Sequence, residues 1–200
     1  DDGWVRMTIE LHLPVELADV PRIGTEWVLP GGLSRVEWFG DGPHECYPDR
    51  RSSAIVGRHA ASVDDMYEDY VVPQEHGHRT GVRWLALGPA GRRAGQPSLL
   101  VMADPAVGDG TLGMAVRRHR DADLWAGTHT DDLVDPGGGA PSTFLYLDAA
   151  QRGLGTGSCG PDTLERYRIR PGTHSVGVWF RSFEAGADDP AALARSIRSR

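Results

Sequence analysis

Short runs of alternating apolar and polar residues, separated by turns rich in glycine and proline, constrain the fold of this chain of 200 residues more than any other feature. The clearest run is residues 5–13, where odd-numbered positions are apolar and even-numbered ones are Arg, Thr, Glu and His. A period of two is that of a strand with one buried face. Further strands are predicted at residues 23–29, 33–39, 79–87, 98–103, 112–117, 143–148, 166–170 and 174–181.

About nine short strands at this spacing favour an all-β fold, an antiparallel β-sandwich. Pro30, Gly31 and Gly32 separate the second and third strands and predict a hairpin between them. Residues 99–102 are apolar at every position, which suits a sheet covered on both faces. A length of 200 residues with 40% apolar content fits one domain with one sizeable core.

Helix signals are few. Residues 48–56 and 121–125 are predicted to form one or two turns each, and Asp189 and Pro190 mark the start of a helix in the following alanine-rich segment. Loops are predicted at residues 89–97 and 135–141. We therefore predict a β-sandwich domain over residues 1–184 and a C-terminal tail with a short helix over residues 185–200.

Composition excludes several classes of protein. The net charge of −7 argues against a nucleic-acid partner. No run of ~18 apolar residues is present, so no membrane partner is predicted, and the start of the chain lacks a signal-peptide pattern. Of the two cysteines, Cys46 and Cys159, free thiols in a reducing cytoplasm are favoured, while a disulfide between them stays open. The predicted localisation is cytoplasmic.

One stretch is unusually informative. Residues 37–50 read E-W-F-G-D-G-P-H-E-C-Y-P-D-R, directly after a predicted strand. The glycines and proline indicate a tight turn, and loops held by rigid strands commonly carry function. We expect a fixed, hydrogen-bonded turn in which Arg50 pairs with a carboxylate or with carbonyls. The residues of this structural motif are Trp38, Gly42, Pro43, Glu45, Tyr47, Asp49 and Arg50.

This stretch resembles the W-x-G-x-G-P-x-E-x-Y-P-D-R block in the last, small-chain domain (the fifth) of glycoside hydrolase family two β-galactosidases. The resemblance extends in family order over residues 21–180. Its other segments are residues 21–24 (P-R-I-G), 65–67, 70–75 (Y-V-V-P-Q-E), 81–83, 147–148, 153–161 (G-L-G-T-G-S-C-G-P) and 167–169.

The resemblance implies a fold and an activity. The family domain is a supersandwich of two extended antiparallel sheets, related to galactose mutarotase, and this chain resembles its C-terminal part. The whole enzyme hydrolyses terminal non-reducing β-D-galactose residues in β-galactosides such as lactose, with retention. Its catalytic glutamates and magnesium ligands come from a central barrel that cannot fit in this chain. We therefore expect no catalytic residue, metal or cofactor here, whereas the full-length enzyme carries Mg and Na.

The same resemblance implies a site and partners. In many relatives the turn at residues 153–161 carries a Trp that stacks on the sugar, and Cys159 takes that position here, with Ser158 beside it. These two residues are the predicted substrate-binding rim, on an exposed loop at one end of the sandwich. A buried core thiol is the alternative for Cys159. The expected partners are the remaining domains of the parent enzyme, the galactoside substrate and further copies of the enzyme in a homo-oligomer.

The histidines, tryptophans and acids are interpreted as structural or surface residues, with two tryptophans left open. His44, His76 and His78 lack the spacing of a zinc site and are interpreted as surface residues. Trp27, Trp84 and Trp179 are assigned to the core, whereas Trp38 and Trp125 remain open as sugar platforms. Seven acids are interpreted as solvated or as partners of Arg50, Arg51 and Arg79, rather than as a catalytic pair. They are Glu37, Asp41, Glu45, Asp49, Asp64, Asp65 and Glu75.

Two other functions stay open at this point. One is a free-standing carbohydrate-binding or mutarotase-like module, and a mutarotase would need a histidine acid and a glutamate base facing one pocket. The other is a purely structural interaction domain.

Overall fold

The computed structural model describes residues 3–17, 19–91, 95–133, 142–155, 157 and 160–198. Over these ranges the chain forms two antiparallel sheets that pack face to face, so the predicted antiparallel β-sandwich is confirmed. The strands are β1 (Val5–Leu13), β2 (Arg22–Pro30), β3 (Arg35–Gly40), β4 (Gly57–Ser62), β5 (Arg79–Val82), β6 (Trp84–Gly88), β7 (Pro97–Ala103), β8 (Leu112–Arg117), β9 (Ser142–Gln151) and β10 (Gly172–Glu184).

One sheet has six strands in the order β1-β10-β7-β6-β3-β4, and the other has four in the order β2-β9-β8-β5. Two α-helices are described, α1 (Asp121–Ala126) and α2 (Pro190–Arg198), and both were predicted. Short 3₁₀ turns cover Val15–Leu17, Asp64–Met66, Thr130–Asp132 and Glu165–Tyr167. No helix in the described ranges is long and apolar enough to cross a membrane.

The hairpin predicted at residues 30–32 is wrong. Strand β2 pairs with β9 in the four-stranded sheet, whereas β3 pairs with β4 and β6 in the six-stranded sheet. The chain therefore crosses from one layer to the other. Trp27 and Leu29 reach the core from one side, and Val36 and Trp38 reach it from the other. Both strands thus bury an alternating face without pairing with each other.

Two further strand predictions and one helix prediction need correction. The run at residues 79–87 is split at Arg83, whose N–H donates to the carbonyl of Phe39, so β5 and β6 lie in different sheets. Residues 166–170 form no strand, because a 3₁₀ turn over Glu165–Tyr167 replaces it. Residues 48–56 form turns rather than a helix, and β4 follows them unpredicted.

The main core lies between the sheets. Trp38, only 1% exposed, belongs to it and is no sugar platform. Trp84 is buried, and Trp27 and Trp179 are partly buried, in keeping with the core assignment, whereas Trp125 on α1 is 92% exposed. The buried members of the core are Val36, Trp38, Val63, Met66, Val82, Leu85, Leu87, Val101, Ala103, Leu112, Met114, Val116, Leu145, Leu147, Val176 and Val178.

The outer face of the six-stranded sheet is also covered. Helix α2 places Ala194 and Ile197 on a second apolar cluster formed by Trp84, Leu100 and Met102 with their neighbours. This layer explains why residues 99–102 are apolar on both faces of β7. The predicted helix is therefore integrated with the sandwich by packing.

Replacing Ile197 by alanine is expected to lower the free energy of unfolding by about 2–4 kcal/mol, because it leaves a cavity between α2 and the sheet. Ala192→Ser on the exposed side of the same helix is the matched control and should change stability by no more than about 0.5 kcal/mol. Denaturant titration measures both. Equal stabilities would show that α2 contributes nothing to the core.

Candidate functional site

The motif segment, residues 37–50, begins in β3 and turns over one end of the sandwich. Gly40 is needed at the turn, because a Cβ there would lie 2.7 Å from the Cα of Val82. The indole N–H of Trp38 donates to the carbonyl of Asp41 at 2.9 Å. The carboxylate of Asp41 accepts hydrogen bonds from Thr80 and Arg51, each at 2.6 Å. These contacts fix the start of the segment to β5.

Glu45 is the centre of the segment. Its carboxylate is buried and accepts hydrogen bonds from the guanidinium of Arg50, the hydroxyl of Tyr70 and the backbone N–H of Gly77, the last at 2.7 Å. Burial acts to raise the pKa of Glu45, but the three donors outweigh it, so the pKa lies below its usual value. The expected ion pair between Arg50 and a carboxylate is therefore present.

Tyr47 fixes the second half of the segment. Its backbone N–H and carbonyl pair with the carbonyl and N–H of Arg50, at 3.2 and 2.9 Å. Its ring is fully buried and stacks on His78, with ring centroids 5.3 Å apart, while the Arg50 guanidinium lies 5.3 Å from the ring centroid on Tyr47. The Y-P-D-R end is thus a closed turn whose aromatic ring points into the fold.

Asp49 connects the motif segment to the glycine-rich turn. Its two carboxylate oxygens accept the backbone N–H groups of Leu154 and Gly155, at 3.0 and 3.2 Å. A Cβ on Gly153 would lie 2.6 Å from the carboxylate carbon of Asp49, so glycine is required for this approach. The first half of the turn is therefore anchored to the motif segment.

Arg152 anchors the other side of the same turn. Its guanidinium binds Asp19 at 2.7 and 3.0 Å and Asp162 at 3.0 Å, and it donates to the carbonyl of Gly155 at 2.8 Å. Thr163 donates through its hydroxyl to the carbonyl of Gly153. Hydrogen bonds to Asp19 raise the pKa of Arg152 above its usual value, so the guanidinium stays charged. Both ends of the turn are consequently held.

The two remaining motif residues, Gly42 and Pro43, contact side chains of neighbouring segments. Gly42 is buried against His59, and the carbonyl of Pro43 accepts a hydrogen bond from Arg79. Cys46 is a buried free thiol that lies 3.3 Å from the hydroxyl of Thr80. Ser158 and Cys159 lie outside the described residues, so their assignment to a substrate rim stays a prediction.

The surface interpretation of His76 and His78 is wrong, because both are only 1% exposed. The Nδ1 atom of each lies 2.9–3.0 Å from a backbone carbonyl, that of Gln74 for His76 and that of Cys46 for His78. Since a carbonyl can only accept, each Nδ1 carries the proton. His44 is exposed, as expected. No three His, Cys, Asp or Glu side chains within the described ranges are grouped to hold a metal ion.

The interpretation of the acids holds in part. Asp41 and Glu45 do pair with Arg51 and Arg50, but all three of Glu37, Asp41 and Glu45 are buried rather than solvated. Arg79 was expected to pair with an acid. Its guanidinium instead donates hydrogen bonds to the backbone carbonyls of Gly77 and Pro43. Arg79 therefore stabilises the backbone of two loops and does not pair with an acid.

Sequence reasoning missed a charged cluster on the outer face of the four-stranded sheet. The guanidinium groups of Arg22 and Arg117 each lie 4.4 Å from the ring centroid of Tyr146. One oxygen of Glu75 is 3.4 Å from Arg22 and 3.2 Å from Arg117, and Asp121 pairs with the same two arginines. The alternation of side chains along a strand could have predicted this cluster. It places Arg117 of β8 and Tyr146 of β9 on the sheet face opposite the one that carries the apolar core positions.

A second missed feature is a buried pair, His78 and Asp148. The Nε2 atom of His78 lies 3.6 Å from one carboxyl oxygen of Asp148, whose other oxygen is 3.5 Å from Nε of Arg22. Burial lowers the pKa of His78 to about 4 and raises the pKa of Asp148 to about 7. In the folded protein, therefore, the proton belongs to Asp148 in weakly acidic solution, whereas in the unfolded chain it belongs to the histidine.

This exchange predicts opposite pH dependences for two substitutions. In His78→Asn only Asp148 titrates, and since its folded pKa is raised, stability falls as pH rises from about 4 to 7. In Asp148→Asn only His78 titrates, and since its folded pKa is lowered, stability falls as pH decreases from about 6.5 to 4. Each slope approaches about 1.4 kcal/mol per pH unit.

The control is the double variant His78→Asn/Asp148→Asn, in which neither group titrates. All other titrating groups are common to this variant and the two single variants, so its pH profile is the baseline for both. In the wild type the two contributions cancel between about pH 4 and 6.5. Unfolding free energies measured over this range decide the matter. Parallel profiles for the two single variants would contradict the proton exchange.

Comparisons with known proteins agree with the family that the sequence resembles. The family model described as "Beta galactosidase small chain" matches residues 1–180. A β-galactosidase of Arthrobacter sp. (strain B7) is 35% identical over 182 residues, which is 91% of this chain and 17% of the relative.

Two further relatives have the same printed name. The β-galactosidase of Psychromonas ingrahamii is 32% identical over 78% of this chain and 13% of its own length. That of Vibrio cholerae serotype O1 is 34% identical over 77% of this chain and 13% of its own length. This chain thus spans between 13 and 17% of the length of these relatives. By its motifs, its fold and these matches, the chain belongs to the β-galactosidase small-chain family.

Proposed function

We propose that this chain forms one wall of the active-site pocket in a retaining β-galactosidase that removes terminal non-reducing β-D-galactose from β-galactosides such as lactose. The observation that supports this role is the double anchoring of the glycine-rich turn. Asp49 holds its first half and Arg152 holds both its start and its end. A loop that contributes to a binding pocket has to be held in place, because a displaced contact loses its value in the transition state.

The chemistry itself is assigned to other parts of the protein. Retention needs two carboxyl groups about 5 Å apart across the sugar and proceeds through a covalent galactosyl-enzyme. In our proposal a barrel domain supplies these carboxyl groups, together with the Mg and Na sites. This chain supplies the wall and packs against that domain, in a cytoplasmic homo-oligomer. The length of the relatives, about five to six times that of the chain, supports such a division.

The residue at the tip of the turn is expected to set the acceptor preference. A Trp offers a large rigid face to a pyranose, whereas the thiol of Cys159 offers little surface. We therefore propose that Ser158 and Cys159 leave the leaving-group side of the pocket more open, with weaker binding of a glucose unit.

A mutarotase-like function has less support. It would need a free glutamate base and a histidine acid in one pocket. Glu75 is instead shared by Arg22 and Arg117, and the Nδ1 proton of His76 is used by the carbonyl of Gln74.

Asp49→Ala in the intact protein tests the anchoring. The substitution leaves the N–H groups of Leu154 and Gly155 without their acceptor, so the turn should loosen and kcat/KM for a nitrophenyl β-galactoside should fall about tenfold. Asp65→Ala, at an exposed position outside the anchor, is the matched control and should leave kcat/KM unchanged. Unaltered kinetics in Asp49→Ala, with the turn still ordered, would refute the role of the anchor.

The division of labour has its own test. The isolated chain of 200 residues should not hydrolyse a chromogenic β-galactoside, because the carboxyl pair lies elsewhere in the protein. Turnover is followed through successive purification steps from a host that lacks β-galactosidase. Activity that co-purifies with the isolated chain would show that the catalytic groups are here.

A further inference from the structure

An exposed apolar patch adjoins the charged cluster, on helix α1 and on the neighbouring segment, residues 70–75. Trp125 of α1 and Val71 are each 92% exposed, and Val72 is 54% exposed. We propose that these three residues, the α1 patch, dock against another part of the same polypeptide, at a surface with an apolar centre and basic groups around it. This inference deepens the proposed function and rests on its premise that the chain is one part of a longer enzyme.

Two contacts place the valines next to the end of α1. The hydroxyl of Thr130 donates to a carboxylate oxygen of Asp69 at 3.1 Å. A Cβ on Gly127, the residue after α1, would lie 3.3 Å from Cγ of Pro73. Residues 69–73 therefore run past the C-terminal end of the helix, where the exposed indole lies. The indole and the two valines belong to neighbouring parts of one surface.

The valines are exposed although their segment is held at both ends. Tyr70 donates through its hydroxyl to the buried carboxylate of Glu45. At the other end, Glu75 pairs with Arg22 and Arg117. The backbone between these anchors has little freedom, so both valines are presented to solvent in a fixed position. A preorganised surface loses little conformational entropy when it binds, which suits a docking site.

The indole is the largest group of the α1 patch. The neighbouring Leu124 is buried and packs α1 onto the sheet, so the helix does not need Trp125 for its own packing. A covered tryptophan buries about 150–250 Å². Tryptophan is enriched among the residues that contribute most to binding at protein interfaces. Isolated exposed apolar side chains are common, whereas a contiguous group of them indicates an interaction surface.

The charges around the α1 patch define the chemistry of its partner. The two bordering segments, residues 67–74 and 121–133, contain no Lys or Arg. Their carboxyl groups belong to Glu68, Asp69, Asp121, Asp123, Asp131 and Asp132. Of these, Asp121 is the one that arginines within the described ranges neutralise. Since charges across an interface are arranged to be complementary, the partner surface is expected to carry Lys or Arg around an apolar centre.

The same charges argue against a second copy of this chain as the occupant. In an isologous dimer a patch meets itself, so the acidic borders would face and repel each other. The rest of the polypeptide is the better candidate by size, because the relatives are about five to six times as long as this chain. It is also favoured by position, because Tyr70, next to Val71, is bonded to the motif segment that holds the proposed pocket wall.

The experiment replaces Trp125 by the photo-crosslinking amino acid p-benzoylphenylalanine in the intact protein. We expect an internal crosslink on irradiation, so that the product keeps the mass of one polypeptide on a denaturing gel. Peptide mass spectrometry should assign it to a segment outside these 200 residues, with Lys or Arg close to the captured site. The same amino acid in place of Ala192, exposed on α2 at the opposite sheet, measures background capture.

Charge reversal tests the chemistry of the partner. Glu68→Lys combined with Asp131→Lys should lower the yield of the crosslink from position 125, because it places positive charge opposite basic groups. Glu68→Gln combined with Asp131→Asn is the matched control and should lower the yield less. Equal yields in the two double variants would refute a basic partner surface.

Hydroxyl-radical footprinting of the unsubstituted intact protein decides the matter if a variant fails to fold. Relative to the unfolded protein, Trp125 should be protected about as strongly as Trp38, which is 1% exposed. Protection should persist at decreasing protein concentration, because protection by a second copy would be lost on dissociation. Oxidation of Trp125 at the rate of the unfolded protein would overturn the proposal and leave the indole as a possible sugar platform.

Two further results would overturn it: a crosslinked product with the mass of two polypeptides, which would identify a second copy, and no crosslink above background. β-Galactosidase activity is assayed on the same preparations. An internal crosslink in a protein without this activity would refute the proposed function and leave the docking surface. Activity without the crosslink would refute the docking surface alone.

Discussion

The buried carboxylate of Glu45 is the interaction on which the rest of the described site depends. It ties Arg50 of its own segment to Tyr70 and Gly77 of a segment that is distant in sequence. A buried carboxylate is costly unless its oxygens are satisfied, so this one stabilises only the arrangement that supplies all three donors. That arrangement places Tyr47 on His78 and turns Asp49 toward the glycine-rich turn.

The charged cluster on the four-stranded sheet also stabilises one arrangement by satisfying buried charges. Arg22 of β2, Arg117 of β8 and Tyr146 of β9 meet on the outer face of the four-stranded sheet, and Glu75 and Asp121 neutralise the arginines. Such pairs contribute little net stability after desolvation, but a wrong register would leave charges unpaired. In a sheet, a slip of one residue moves every side chain to the other face. The cluster therefore specifies how three strands align.

Local patterns in the sequence predicted β1 and β8 to the residue and the existence of both helices, because alternation and capping signals act within a few residues. The errors are non-local. The turn residues at 30–32 show that the chain reverses, but not that β3 joins the other sheet. His76 and His78 are polar and flank a glycine, which is typical of an exposed loop. The motif segment, some 30 residues earlier in the chain, packs over them and buries them. No pattern in the neighbouring residues predicts this contact. Tertiary contacts override local preference at such places.

The motif segment contacts two separate parts of the molecule, a cavity and the glycine-rich turn. Its Pro48 lines a cavity of about 400 Å³ that His78 and Asp148 also line. The next residue, Asp49, holds the turn that the family resemblance assigns to the sugar pocket. The two positions belong to one closed turn, since Tyr47 and Arg50 pair across them. Displacement of Pro48 would therefore shift the acceptor of the Leu154 and Gly155 N–H groups as well. His78 of the buried pair also stacks on Tyr47, at one end of this closed turn, so a change at the pair acts on the turn that carries Asp49.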